Sequence, residues 1–234
     1  MEYRDQEYVL NGNDYSIREF NGILSKTFSR MFIGLIVTAI AAILTYRTNL
    51  IYMVASFYWL LAIIEIVLVL VFSFGFKKLS PQAVTGLYYA YAVLNGVTLS
   101  TIFVVYELAL IGKSFIMTAA LFGALAYLGH STDKDLSKMG SILSVALLVG
   151  IVATIINIFI GSTMFSIALD WIMLLVFSGL TIYDMNKIKM MSQMVEAEGA
   201  SAEKIYVYCA MELYLDFINI FLRILRILGR SNRK

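Results

Sequence analysis

The stretch "LYLDFINIFLRI", residues 213–224, is apolar enough for the interior of a bilayer, yet Asp216 stands in its middle, with Glu212 one turn before it and Arg223 two turns after. At 100° per residue, Glu212, Asp216, Asn219, Arg223 and Arg226 fall in one narrow sector, while Leu213, Leu215, Phe217, Ile218, Ile220 and Phe221 cover the rest of the helix. An ionisable group at mid-bilayer costs about 2.5–3.5 kcal/mol even on lenient insertion scales, so such a seam faces protein or a water-filled cavity, not lipid. A helix with this seam belongs inside a membrane bundle.

The rest of the chain agrees. Of 234 residues, 60% are hydrophobic and 15% charged, against roughly 25% charged in a soluble domain. Apolar segments run over residues 31–46, 52–76, 83–106, 114–128, 139–160, 164–184 and 205–228, each followed by a short polar connection. A spanning helix needs about 20 such residues. The alternating pattern of a membrane barrel does not occur. The reading is all-α, a polytopic membrane protein with seven transmembrane helices: a polar N-terminal arm over 1–30, a helical domain over 31–229, and a basic tail over 230–234. The fourth segment, short and rich in Gly and Ala, is expected to pack inside the bundle or to lie tilted. The arm lacks the basic start, apolar centre and cleavage site of a signal peptide.

Basic residues orient the bundle. Arg18, Lys26, Arg30, Lys77, Lys78, Lys134, Lys138, Lys187, Lys189 and Lys204 occupy one set of connections, and only Arg47 and Lys113 the other. This places the N-terminus in the cytoplasm and the protein in the cell's inner (plasma) membrane, in contact with the lipid bilayer. A seventh full span then puts Arg230, Arg233 and Lys234 outside, against the rule. The net charge of +2 and the scatter of basic residues give no nucleic-acid surface. Cys209 is the one cysteine, so neither an internal disulfide nor a cysteine metal cluster forms. No nucleophile–base arrangement, phosphate loop or zinc spacing is present, and none of these residues points to an enzyme or to a cofactor. His130, beside Asp133, Lys134 and Asp135, reads as a solvated loop residue.

The helix before the seam ends "SGLTIYDMNKIK", with Ser178, Thr181 and Asp184 on neighbouring turns of one face. Between the two segments the punctuation is "EGAS": Gly199 suits the position past a helix end and Ser201 the cap of the next helix. With the turn at Ala200, Asp184 lies sixteen residues before it and Asp216 sixteen after, so regular antiparallel helices bring the two carboxylates to equal height. At about 4 Å and an effective dielectric near 20, two such charges repel by about 4 kcal/mol. The pair is therefore expected to hold a shared proton and to respond to pH as a unit. For Asp184 alone, a local pair with Lys187 is the alternative; for Asp216, a structural hydrogen bond. Glu65, deep in "WLLAIIEIVLVLVF", needs an interior partner or a cation path by the same cost. Arg223 and Arg226 are expected to snorkel toward headgroups, with Arg223 a possible neutraliser of the carboxylates.

"GLTIYDMNKIK", "LYLDFINIFLRILRILG" and "HSTDKDLSKMGSIL" resemble the transmembrane Bax inhibitor motif family, in its bacterial branch, over about residues 23–229. The resemblance implies six helices around a central C-terminal seventh, a calcium leak through the membrane, and an aspartate pair, here Asp184 and Asp216, acting as pH sensor and touching the transported calcium. Glu65 matches the family's acidic residue in the second helix and joins Glu212 and Asn219 as candidates for the ion path. Where described relatives carry a gate arginine, this chain reads "FSFGFKKLS", leaving Lys77, Lys78 or Arg223 as the gate cation. Some bacterial relatives restrain a membrane-anchored protease, a role the arm over 1–30 would serve. A proton-coupled solute transporter is the third reading, but no inverted repeat or pair of broken helices supports it.

Overall fold

The structure, a computed structural model, describes residues 2–48, 50–76, 78–198 and 201–231, and the side chains of 21–48, 50–76, 78–191 and 201–231. The described residues form helices and connections only: α1 (Glu2–Arg47), α2 (Leu50–Gly75), α3 (Pro81–Leu99), α4 (Ile102–Val105), α5 (Leu108–Ser131), α6 (Ser137–Ile160), α7 (Thr163–Glu198) and α8 (Ala202–Ser231). Seven stretches are long and apolar enough to cross a membrane: Asn21–Arg47, Tyr58–Gly75, Pro81–Val105, Leu108–Ser131, Ser137–Ile160, Thr163–Met191 and Ala202–Ser231.

Local chemistry sets the breaks. Ser80 caps α3 by accepting from the Ala83 N–H (3.3 Å), with Pro81 as its first residue. Gly161 ends α6 in the left-handed region at φ 69°, its N–H donating to the Asn157 carbonyl. The third apolar segment is two helices, because the Ser100 and Thr101 hydroxyls turn back onto the carbonyls of Val97 (2.6 Å) and Thr98 (2.9 Å) and Tyr106 is extended. A non-helical Phe57 kinks α2, so its straight span begins at Tyr58.

Two boundaries differ from the sequence reading. Helix α1 runs unbroken through residue 30, and Ile23 and Thr27 are already buried in the bundle. The short fourth segment is a 24-residue helix, α5, because Leu108–Lys113 and Gly129–Ser131 extend it at both ends. His130 therefore sits in its last turn, not in a loop.

Helix α8 is the most enclosed: 67% of its most apolar window is buried, against 6% in α2 and α6. It packs on α7, α1, α5 and α3. Helix α6 leans mainly on α7; α2 leans mainly on α3 and reaches α8 where Phe72 stacks on Tyr208 (5.8 Å between ring centres). The outward faces of α2 and α6, with Ile63, Ile66, Leu148 and Val152, are exposed and apolar, as lipid contact requires. Glycine permits the closest approaches. A Cβ at Gly129 of α5 would strike the Ile182 carbonyl oxygen and lie 2.7 Å from the Met185 Cβ on α7, beside Asp184.

Candidate functional site

Helices α7 and α8 are antiparallel neighbours, α7 running to Glu198 and α8 starting at Ala202; the turn expected at Ala200 lies outside the described residues. Asp184 and Asp216 lie opposite each other with their carboxyl groups within hydrogen-bonding reach. Asp216 is 4% exposed. Its Oδ2 is buried without a hydrogen-bond donor. Thr181 lies beside it, but the Thr181 hydroxyl donates to the Phe177 carbonyl (2.9 Å). Two ionised carboxylates are acceptors only, so a proton on one of them is what turns this contact into a bond.

Glu212, one turn before Asp216, joins the cluster electrostatically. Lys187, the alternative local partner for Asp184, instead donates its Nζ across the seam to Glu212 Oε1 at 2.7 Å. The cluster is thus three carboxyls and one ammonium. A cavity of about 540 Å³, lined by Ser73, Phe74, Phe76, Tyr183, Lys187, Met190, Met191 and Tyr208, opens beside it between the end of α2 and the α7–α8 pair. The connection after α5 braces this end of α7: the Thr132 carbonyl accepts from Asn186 (2.8 Å) and Lys189 (3.1 Å). Among the described residues no three His, Cys, Asp or Glu side chains converge as metal ligands.

The other candidates lie elsewhere. Glu65 Oε2 accepts from Asn95 Nδ2 (3.4 Å); Asn95 Oδ1 accepts from the Tyr214 hydroxyl (3.0 Å), which bonds Thr38 Oγ1 (2.7 Å). This chain ties α2, α3, α8 and α1 together and leaves Glu65 Oε1 buried and unpartnered. Asn219 donates to the Leu215 carbonyl of its own helix (2.8 Å). Lys78 is exposed, and Lys77 lies outside the described residues. The cation brought to the aspartates' cluster is Lys187.

Arg223 does not neutralise the aspartate pair, and Arg223 and Arg226 are not unpaired cations, although the Arg226 side chain stays 36% exposed. They converge with Arg230 on Asp170 of α7, which is 2% exposed. Arg223 Nη1 donates to Asp170 Oδ1 (2.9 Å) and Arg230 Nη1 to Oδ2 (2.7 Å), while Arg226 Nε stands 3.1 Å from Oδ1. Arg230 Nη2 also reaches Ser166 Oγ (2.7 Å). Sequence reasoning missed Asp170, although the same count from Ala200 finds it: Asp170 lies thirty residues before the turn and Arg230 thirty after. The cluster also bears on the excess of basic residues at the C-terminus, since Asp170 engages Arg230 in an ion pair.

The arrangement defines a class: a polytopic helical membrane protein whose last two helices enclose ionisable groups along their shared seam. The sequence model of the family described as inhibitor of apoptosis-promoting Bax1 matches residues 20–233. The chain is 37% identical over 213 residues to the inner membrane protein YbhL of Escherichia coli strain K12, covering 88% of this chain and 90% of that protein. It is 37% identical over 230 residues to a membrane protein of Streptococcus pyogenes serotype M3, covering 96% and 98%, and 34% identical over 214 residues to a protein of Borreliella burgdorferi, covering 90% and 92%. The chain belongs to the Bax inhibitor family of multi-pass membrane proteins.

Proposed function

We propose that this protein is a proton-regulated leak for calcium across the cell's inner membrane, with its N-terminus in the cytoplasm, and that it performs no catalytic step. The observation that carries this reading is that the buried carboxyl groups of Asp184 and Asp216 lie within hydrogen-bonding reach across the α7–α8 seam, with Asp216 Oδ2 left unpartnered. A shared proton joins the two helices; its loss leaves two like charges in a poorly solvated place, where they repel. Separation at this end is supported sterically by the adjoining cavity, which already reaches Lys187 from the side of α2. Carboxylate oxygens of Asp184, Asp216 and Glu212 are the hard ligands calcium prefers, and a set too small for a cage suits passage over retention. Membership of a family that includes a protein named as an inner membrane protein supports the location, and the distribution of basic residues supports the orientation.

The test is purified protein in liposomes loaded with a calcium-sensitive dye, followed from mildly acidic to mildly alkaline pH. Wild-type flux is expected to change with pH, and Asp184→Asn or Asp216→Asn to flatten the profile. Variants that retain the wild-type pH profile would overturn the proton control, and absence of dye response at every pH would overturn the leak. Deleting residues 1–20 is expected to leave flux intact; an effect confined to a membrane-anchored protease partner would instead favour a regulatory interaction protein.

A further inference from the structure

At the end of the bundle away from the aspartate pair, three guanidiniums surround one carboxylate. Asp170 neutralises one positive charge and leaves two in excess, in a place where Asp170 is 2% exposed and the Arg223 side chain 12% exposed. The hydrogen bonds are also incomplete. Arg223 Nε and Arg226 Nε are buried without a hydrogen-bond acceptor, the Arg226 approach to Asp170 being too bent to count as one. Each guanidinium carries five N–H donors in a planar fork, and one carboxylate cannot occupy three forks. The Arg226 and Arg230 side chains, 36% and 33% exposed, reach the surface. They do so in the last turns of an apolar span, where the membrane gives way to water. Tyr106, interacting with Arg226 and packed over Gly229, adds an aromatic ring of the kind that settles at headgroup level.

Excess guanidinium charge, unfilled planar donors and a position at the bilayer surface call for an anion with several oxygens. Phosphate fits the fork geometry of arginine in two-point contacts. We propose that Arg223, Arg226 and Arg230, gathered by Asp170 between the start of α7 and the end of α8, form a binding site for the phosphate of an anionic lipid headgroup. Asp170 acts here as a positioning residue, turning three cations toward one place. The site is separate from the aspartate pair, and its existence does not depend on calcium flux.

The experiment uses the full chain in nanodiscs of mixed phosphatidylglycerol and phosphatidylcholine, extracted into mild detergent, with retained lipid measured by mass spectrometry. Wild-type protein is expected to retain phosphatidylglycerol over phosphatidylcholine by on the order of tenfold, since each basic residue near an anionic headgroup adds appreciable attraction. Arg226→Gln with Arg230→Gln is expected to abolish that preference; Arg226→Lys, which keeps charge but loses the fork, to weaken it; and Arg47→Gln, an exposed cation at the end of α1, to leave it unchanged. Equal retention of the two lipids by wild-type protein overturns the proposal without any variant having to fold. Undiminished preference in the double glutamine variant also overturns it. A parallel arm adds inorganic phosphate against chloride at equal ionic strength: stabilisation by phosphate with no lipid preference would identify a soluble anion and reject the headgroup.

Discussion

Along the same pair of helices, about 21 Å apart on α7 at 1.5 Å per residue, Asp170 and Asp184 meet opposite surroundings. Asp170 is enclosed by Arg223, Arg226 and Arg230. Asp184 faces Asp216, with Glu212 close by and Lys187 already engaged by Glu212. Both carboxyls are on the face of α7 that meets α8, and both were drawn there by the cost of exposing charge to lipid. The sign of what α8 presents makes the difference. Against guanidiniums the carboxylate is satisfied as an anion and the helices are held together whenever it is ionised. Against another carboxyl, contact requires a proton. One end of the seam is fixed and the other is conditional, so motion driven by protonation is expected to pivot about the Asp170 end.

The largest expected effect tests the fixed end. Asp170→Asn leaves the buried Arg223 and the partly exposed Arg226 and Arg230 without their counter-charge, and breaking a buried pair from one side typically costs about 3–5 kcal/mol, less where solvent reaches the partner. Asp216→Asn removes a like charge and replaces a protonated carboxyl with a group of the same shape, for a change of about 1 kcal/mol, the net worth of one hydrogen bond. Thermal or denaturant unfolding in detergent measures both. Equal losses would erase the distinction between the two ends.

Next is packing at the conditional end. Gly129→Val on α5 drives a side chain into the Ile182 carbonyl and the Met185 Cβ of α7; overpacking of this kind costs about 1–3 kcal/mol. Because the strain falls within one turn of Asp184, the same variant is expected to raise calcium flux at the pH where wild-type protein is least active. A variant as stable and as tight as wild type would show that α5 does not brace the pair.

Lys187→Gln sharpens the electrostatic side of the comparison by removing the one ammonium among three carboxyls. Without it the carboxyls lose their one nearby positive charge, and the pH midpoint of calcium flux is expected to move upward. A downward or absent shift, read from the same dye assay, would mean that Lys187 serves Glu212 alone.

How much of this was legible depended on which residues announced themselves. Asp216 is conspicuous within an apolar run, and Gly199 and Ser201 mark the turn, so counting from Ala200 puts Asp184 opposite it. Asp170, in "SIALDWIML", is just as anomalous, but the residues opposite it in α8 are arginines near a helix end, where snorkelling to headgroups is the ordinary reading. Lys187 illustrates a different difficulty: spacing of three within a helix offers Asp184 as its partner, whereas the bond to Glu212 depends on how α7 and α8 align across the seam. For Glu65 the need for a partner followed from burial, whereas the identity of Asn95 depends on how α2 and α3 align across the connection near Pro81, which no periodicity specifies. The break after Leu99 escaped notice because it is made by the Ser100 and Thr101 hydroxyls, without proline or glycine.

The smallest expected effect supplies a reference outside the seam. Asp135, exposed in the connection before α6, accepts from the Ser137 hydroxyl and from the Ser137 N–H (2.8 Å), and these two bonds, aided by Lys138, hold its carboxyl below the usual range. A carboxyl depressed in the folded state stabilises the protein when ionised: the contribution is complete above the ordinary carboxylate range and is lost as pH falls through the depressed value. Asp135→Ala is therefore expected to lower the melting temperature slightly near neutral pH, with the difference vanishing in strong acid, and to leave the pH profile of calcium flux unchanged. A flux profile that followed Asp135 would move proton control from the enclosed pair to the exposed connection. An unchanged profile separates a carboxylate that steadies one helix end from the pair proposed to join two helices through a shared proton.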